Sequence, residues 1–167
     1  MNKKISVANL VMMAGGVVTL LFSFFGFYKG GGQSRSAWST DLFAFVSTIP
    51  AILAIVMIVW CGLELAGQKL PAQVLTFNAN QLKATWGISA GGLMLAWLTV
   101  DSRGLDKGVG FWLMLNGSLA MAAGSVMALL GKGTEMVDLG HMGSKSGGST
   151  PPPPPPGGMT PPPPPPG

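Results

Sequence analysis

Charge is absent from most of this chain. All ten Lys/Arg and all six Asp/Glu fall outside four apolar runs, at residues 5–28, 42–63, 84–100 and 109–131. These runs hold 24, 22, 17 and 23 residues. A helix rises about 1.5 Å per residue, so about 20 apolar residues cross a hydrocarbon layer roughly 30 Å thick. A soluble helix of this length would interleave charge on its outer face. The pattern therefore predicts an all-α membrane protein, four transmembrane helices forming an antiparallel bundle. Charged residues make up only 10% of the chain, against about 25% in soluble domains. Mean hydropathy is +0.46 with a polar tail included.

The organisation follows from the runs. Residues 1–131 read as one four-span domain, with spans at about 5–28, 42–63, 79–100 and 109–131. The first run is too long for the apolar part of a secretory signal, about 7–15 residues, and ends without a small-residue cleavage site, so it reads as an uncleaved span. The third is extended upstream because Asn78 and Gln81 have capping-box spacing. Lys83 then lies near the helix start, with its ammonium expected to snorkel to the headgroups. Residues 70–77 are apolar but broken by Pro71, which predicts a segment at the membrane surface. Residues 101–108 are too short to do more than join two antiparallel helices. Residues 132–167 form a disordered Gly/Ser/Pro-rich tail.

An even number of spans puts both termini on one side. That side carries Lys3, Lys4, Lys69, Lys83, Lys132 and Lys145; the other carries Lys29, Arg35, Arg103 and Lys107. The bias favours cytoplasmic termini in the cell membrane. Net charge of +4 is explained by this topology and anionic headgroups, with no basic stripe for nucleic acid. All five Trp, at positions 38, 60, 86, 97 and 112, fall near span ends, where amphipathic rings anchor.

Within the spans, Pro50 predicts a kink, since it cannot donate to the carbonyl of Val46. Gly87 and Gly91 form a G-x-x-x-G face, and Ala120, Gly124 and Ala128 a small-residue row. Small residues let membrane helices approach closely, so these rows predict the contact between spans 3 and 4, with a homo-oligomer as the sharper alternative. Asn9, Thr19, Ser89 and Asn116 are polar and could line a path.

Catalytic chemistry is missing from the pattern. The four runs contain no ionisable residue except Cys61 and Tyr28, which argues against an autonomous pump or transporter. Cys61 is the only cysteine, so no internal disulfide is possible. His141 has no metal-binding companions. Asn116-Gly117-Ser118 matches a glycosylation pattern but falls within a span, and Gly30-Gly31-Gly32 lacks the Lys-Ser/Thr of a phosphate loop. No cofactor and no enzyme activity are expected.

The tail is the sharpest feature. Residues Pro151 to Pro156 and Pro161 to Pro166 are two six-proline blocks separated by a glycine joint. Each forms an extended polyproline rod, which suits the aromatic-lined groove of a cytoplasmic protein or serves as a spacer.

The layout resembles small four-span actinobacterial membrane proteins of unassigned function that end in a disordered Pro/Gly-rich tail. Leu21-Phe22-Ser23-Phe24, Ser36-Ala37-Trp38-Ser39, Leu70-Pro71-Ala72, Gln81-Leu82 and Gly108-Val109-Gly110-Phe111-Trp112-Leu113 carry the likeness, over roughly residues 5–131. The short tail of pure proline blocks departs from it. The resemblance implies an envelope protein and no activity. The residues predict an adapter or accessory subunit presenting a cytoplasmic tail; the alternative is a small channel or transporter subunit that forms a pore as an oligomer.

Overall fold

The computed structural model describes residues 4–39, 46–71, 73–100 and 104–138. Within them the chain forms four long helices joined by short strands. The helices are α1 (Val7–Ser23), α2 (Ile49–Leu65), α3 (Ala79–Thr99) and α4 (Val109–Leu129). The strands are β1 (Lys4–Ser6), β2 (Gly26–Gly30), β3 (Gln33–Ser36), β4 (Gln73–Val74), β5 (Phe77–Asn78), β6 (Asp106–Lys107) and β7 (Met136–Asp138).

Strand pairing fixes the topology. β2 pairs with both β3 and β6, which brings the α1–α2 and α3–α4 connections to one end of the bundle, the first end. β1, ahead of α1, pairs with β7, beyond α4. This second end also carries the β4–β5 hairpin between α2 and α3. The helices therefore alternate in direction. α1 and α3 each pack on both α2 and α4, giving a ring in the order α1, α2, α3, α4.

Local chemistry sets the boundaries. Ser6 caps α1 by accepting from the Asn9 N–H at 3.2 Å. The Val7 and Ala8 N–H groups donate to the carbonyls of Glu135 and Gly133, so the segment after α4 satisfies the start of α1. Asn78 and Gln81 form a complete capping box at α3, as their spacing predicts. Three differences from the sequence expectations are instructive. The first helix stops at Ser23, short of residue 28, because Gly26–Gly30 leaves it to pair as β2. Glycine disfavours the helix, and Phe27 and Tyr28 suit a strand. Gly31 and Gly32, both at positive φ, make the tight turn of the β2–β3 hairpin. Residues 70–77, expected to form an irregular apolar segment, contribute β4 and the start of β5 to a hairpin. Pro50 lies in the first turn of α2, where its missing N–H costs no helical bond. It starts the helix and so does not stand in the helix interior, where the kink was expected.

The interior is built from small residues and methionine. Met12, Met57, Met94, Met114 and Met121 are fully buried, with Ala51, Ala54, Ala90 and Cys61 between them. Methionine is unbranched and fills irregular gaps. α4 carries two small rows on adjacent faces. One meets α1: a Cβ on Gly117 would lie 2.8 Å from the Gly15 carbonyl oxygen, and one on Gly124 would lie 3.0 Å from that of Ala8. Ala120 belongs to this row, with its Cβ 3.2 Å from a Cβ built on Gly15. The other meets α3: Gly87 faces Ser125 and Met121, and Gly91 faces Ala122 and Ser118. Ala120 and Gly124 thus serve α1, contrary to their assignment to span 3. Ala128 accepts from Asn80 of α3 at 3.4 Å. Serines 118 and 125 complete the α3-facing row, and a search restricted to Gly and Ala passes over them.

Large apolar side chains point outward. Leu21 is 56% exposed, Val59 54%, Ile88 49% and Leu119 37%, one from each helix. By length and composition two helical segments qualify to cross a membrane, Val46–Leu65 and Val109–Leu129. α1 is apolar but has 17 residues, and α3 opens with Asn80, Gln81 and Lys83.

Gly117→Leu and Gly124→Leu are expected to destabilise by at least about 1–3 kcal/mol, because each forces bulk against backbone. Gly92, with nothing within 4 Å of its Cβ position, should accept Leu without loss and gain up to about 1 kcal/mol of helix propensity. Unfolding of the purified variants in detergent checks the contrast.

Candidate functional site

The polar centre of the bundle lies at its second end, where three helices each contribute a side chain. Lys83, in the second turn of α3, is buried. Its Nζ lies 3.2 Å from both Oε1 and Oε2 of Glu64, at the end of α2. It also donates to Asn9 Oδ1 of α1 at 3.0 Å. Asn9 Nδ2 donates to Glu64 Oε2 at 2.8 Å, closing the triangle. Trp60 Nε1 donates to Glu64 Oε1 at 3.0 Å. The Trp60 ring meets Trp86 of α3 edge to face, with centroids 5.5 Å apart.

The helix dipoles do not explain this placement. A carboxylate is disfavoured near a helix C-terminus and an ammonium near an N-terminus. Glu64 and Lys83 occupy those positions, so each depends on the other. Burying either without its partner would leave a charge out of water, at a cost of several kcal/mol. Lys83 therefore does not snorkel outward as its position in the sequence suggests.

Two cavities flank the triangle. One, of about 110 Å³, is lined by Ser6, Asn9, Asn80, Lys83, Lys132 and Thr134 among others. The other, of about 200 Å³, is lined by Lys4, Ser6, Asn9, Glu64, Leu65 and Met136 among others. Lys83 lines the first and Glu64 the second, with Ser6 and Asn9 common to both. The arrangement can brace three helices and present opposite charge to two adjoining polar spaces. It offers no nucleophile held by a base.

The first end is aromatic. Phe27 packs edge to face against Tyr28, Trp97 and Phe111 at centroid distances of 5.1, 6.0 and 5.2 Å. Burial raises the Tyr28 hydroxyl above its ordinary pKa. Trp97 is part of this buried cluster. Trp38 stacks on Phe24 and donates to Ser23 Oγ at 2.8 Å.

The remaining sequence candidates are dispersed. Thr19 is buried between α1 and α4, donating to the Gly15 carbonyl at 2.8 Å, with Ser118 Oγ at 3.3 Å. Ser89 and Asn116 are exposed on outer faces. With Asn9 inside the triangle, these four residues share no single path. Among the described residues no group of three His, Cys, Asp or Glu gathers to hold a metal. Pro151, Pro156, Pro161, Pro166 and His141 lie outside the described residues. The ion pair escaped the sequence reading because the apolar runs were bounded by these very charges. One signal was available: Gly67, at positive φ just past α2, is a C-terminal glycine that carries the helix beyond Glu64.

Compared with known proteins, the chain matches no family model, no curated protein and no solved structure.

Glu64→Leu alone, which leaves the buried Lys83 ammonium unpaired, is expected to destabilise by about 3–5 kcal/mol, and Lys83→Met alone by less, because the Glu64 side chain is 25% exposed. The double variant should recover most of the loss, because no charge is then left buried. A double-mutant cycle from denaturant unfolding measures this coupling; simple additivity would exclude it.

Proposed function

We propose that this protein crosses the bilayer four times and works as a non-enzymatic adapter or accessory subunit presenting a proline-rich tail in the cytoplasm. One observation carries the membrane reading. All four helices carry large apolar side chains on their outer faces, Leu21, Val59, Ile88 and Leu119 among them, where a soluble bundle needs a polar exterior. Two helical segments meet the length and composition for a span unaided. In this reading α1 gains reach from the flanking apolar residues Phe24 and Phe25, which are exposed. The opening turns of α3 lie at the headgroup level, where the Lys83–Glu64 pair shields its own charge.

The bundle interior supports a scaffold over a pore within one copy. Gly15 and Gly117 bring α1 and α4 into backbone contact, leaving no room for water between these two helices at that level. The alternative is a channel or transporter subunit that conducts between copies. Asn116 favours it: this residue faces outward and spends its Nδ2 on the Trp112 carbonyl at 2.8 Å, so its Oδ1 is available to a neighbour. The likeness to four-span actinobacterial envelope proteins belongs to the same proposal.

Cysteine labelling of intact cells, on a Cys61→Ser background, tests the topology. A cysteine at Ser34 should label from outside and one at Ser146 should be protected; the reverse pattern overturns cytoplasmic termini. Replacing residues 151–156 and 161–166 with Gly/Ser keeps length but removes the preformed rods. Membrane insertion should survive and recovery of cytoplasmic partners should fall. Unchanged recovery would make the rods spacers.

A further inference from the structure

We propose that the second end binds an acidic phospholipid, its phosphate in the cavity beside Lys83 and one acyl chain in the groove between α3 and α4. The inference rests on the four-span reading and adds a ligand to it.

The cavity has the chemistry of an anion site. Its lining holds two lysines, Lys83 and Lys132, with Ser6, Asn80 and Thr134 as hydrogen-bonding residues, and no acidic residue. Glu64 stands on the far side of the triangle and borders the other cavity. It offsets the charge of Lys83, so the local excess comes from Lys132, which is exposed. The N-termini of α1 and α3 reach this cavity through Ser6 and Asn80, and the C-terminus of α4 reaches it through Ala128, so the helix dipoles oppose one another there and the lysines set its charge. A volume of about 110 Å³ holds three or four waters at about 30 Å³ each, the scale of one phosphate group.

The neighbouring surface identifies the rest of the ligand. A groove of about 400 Å³ runs beside the cavity, lined by Phe77, Ala84, Thr85, Ile88, Ser89 and Leu129 among others. The two features adjoin at consecutive residues: Asn80 and Ala128 line the cavity, Gln81 and Leu129 the groove. The bond from Asn80 Nδ2 to the Ala128 carbonyl marks their border. Water-soluble phosphate would satisfy the cavity and leave the groove unused. A molecule with an anionic head and an apolar chain satisfies both. Basic pockets between membrane helices on the cytoplasmic side take acidic headgroups in this manner, and the second end is the lysine-rich side.

The full chain in mixed phosphatidylglycerol and phosphatidylcholine micelles, analysed by native mass spectrometry, tests this. Phosphatidylglycerol should be retained in preference to phosphatidylcholine. Lys132→Gln, at an exposed site, should lower that preference about fivefold, the worth of one surface cation. Glu64→Gln, which frees the charge of Lys83, should raise it. Ile88→Trp, which fills the groove, should weaken retention of the intact lipid. Equal retention of the two lipids, or a preference unchanged by Lys132→Gln, overturns the site. Displacement of the lipid by inorganic phosphate alone overturns the lipid as its ligand. Alkaline carbonate washing of membranes separates the premises: a chain that stays embedded but shows no preference contradicts only the lipid site, whereas a released chain contradicts the four-span reading.

Discussion

Burying one lysine constrains most of this fold. The ammonium of Lys83 is out of water, so a carboxylate must reach it, and Glu64 does so from a different helix. Both charges stand at the unfavourable ends of their own helix dipoles, so neither helix gains from its charge alone. Asn9 then ties α1 to both by donating to the carboxylate and accepting from the ammonium. Three helices acquire a fixed register from one ion pair. α4 joins them by a different means, glycine backbones in contact with α1 and serines and glycines in contact with α3.

These two devices divide the work by position. Close approach through Gly15, Gly117 and Gly124 holds the middle of the bundle, where packing of small residues replaces the hydrophobic effect if lipid surrounds the protein. The buried ion pair lies at the second end, and aromatic packing around Phe27 closes the first. The β3-β2-β6 sheet ties the two connections at that end together. Large apolar side chains such as Leu21, Val59, Ile88 and Leu119 also stand on the outer faces of the four helices, so the same bundle in water would expose apolar surface on every helix.

Much of the helical layout was legible in the sequence because apolar run length and capping chemistry are local signals. Asn78 and Gln81 mark the start of α3 without any tertiary information. The strands were not legible. β2 continues an apolar run without a break, and what makes it a strand is pairing with β3 across the Gly31-Gly32 turn and with Lys107, far along the chain. The ion pair was hidden for a related reason. Reading a charge as the end of a span discards the charges that lie inside a helix but face its interior. The faces of α4 were assigned to the wrong neighbour in part, because small rows four residues apart occur on two sides of that helix. Pro50 shows that a proline's effect depends on where the helix begins, which residues upstream decide.

Solid-state NMR of the full chain in bilayers, with lysine Nζ and glutamate carboxyl carbons labelled, measures the central contact directly. A strong through-space coupling between Lys83 and Glu64 is predicted from the 3.2 Å Nζ–Oε2 separation, lost in Glu64→Gln only at the carboxyl resonance it removes. Protection of the Lys83 ammonium from water exchange should accompany it. A Lys83 signal that exchanges freely with water and shows no contact with Glu64 would place the ammonium among the headgroups and contradict a bundle held by a buried charge.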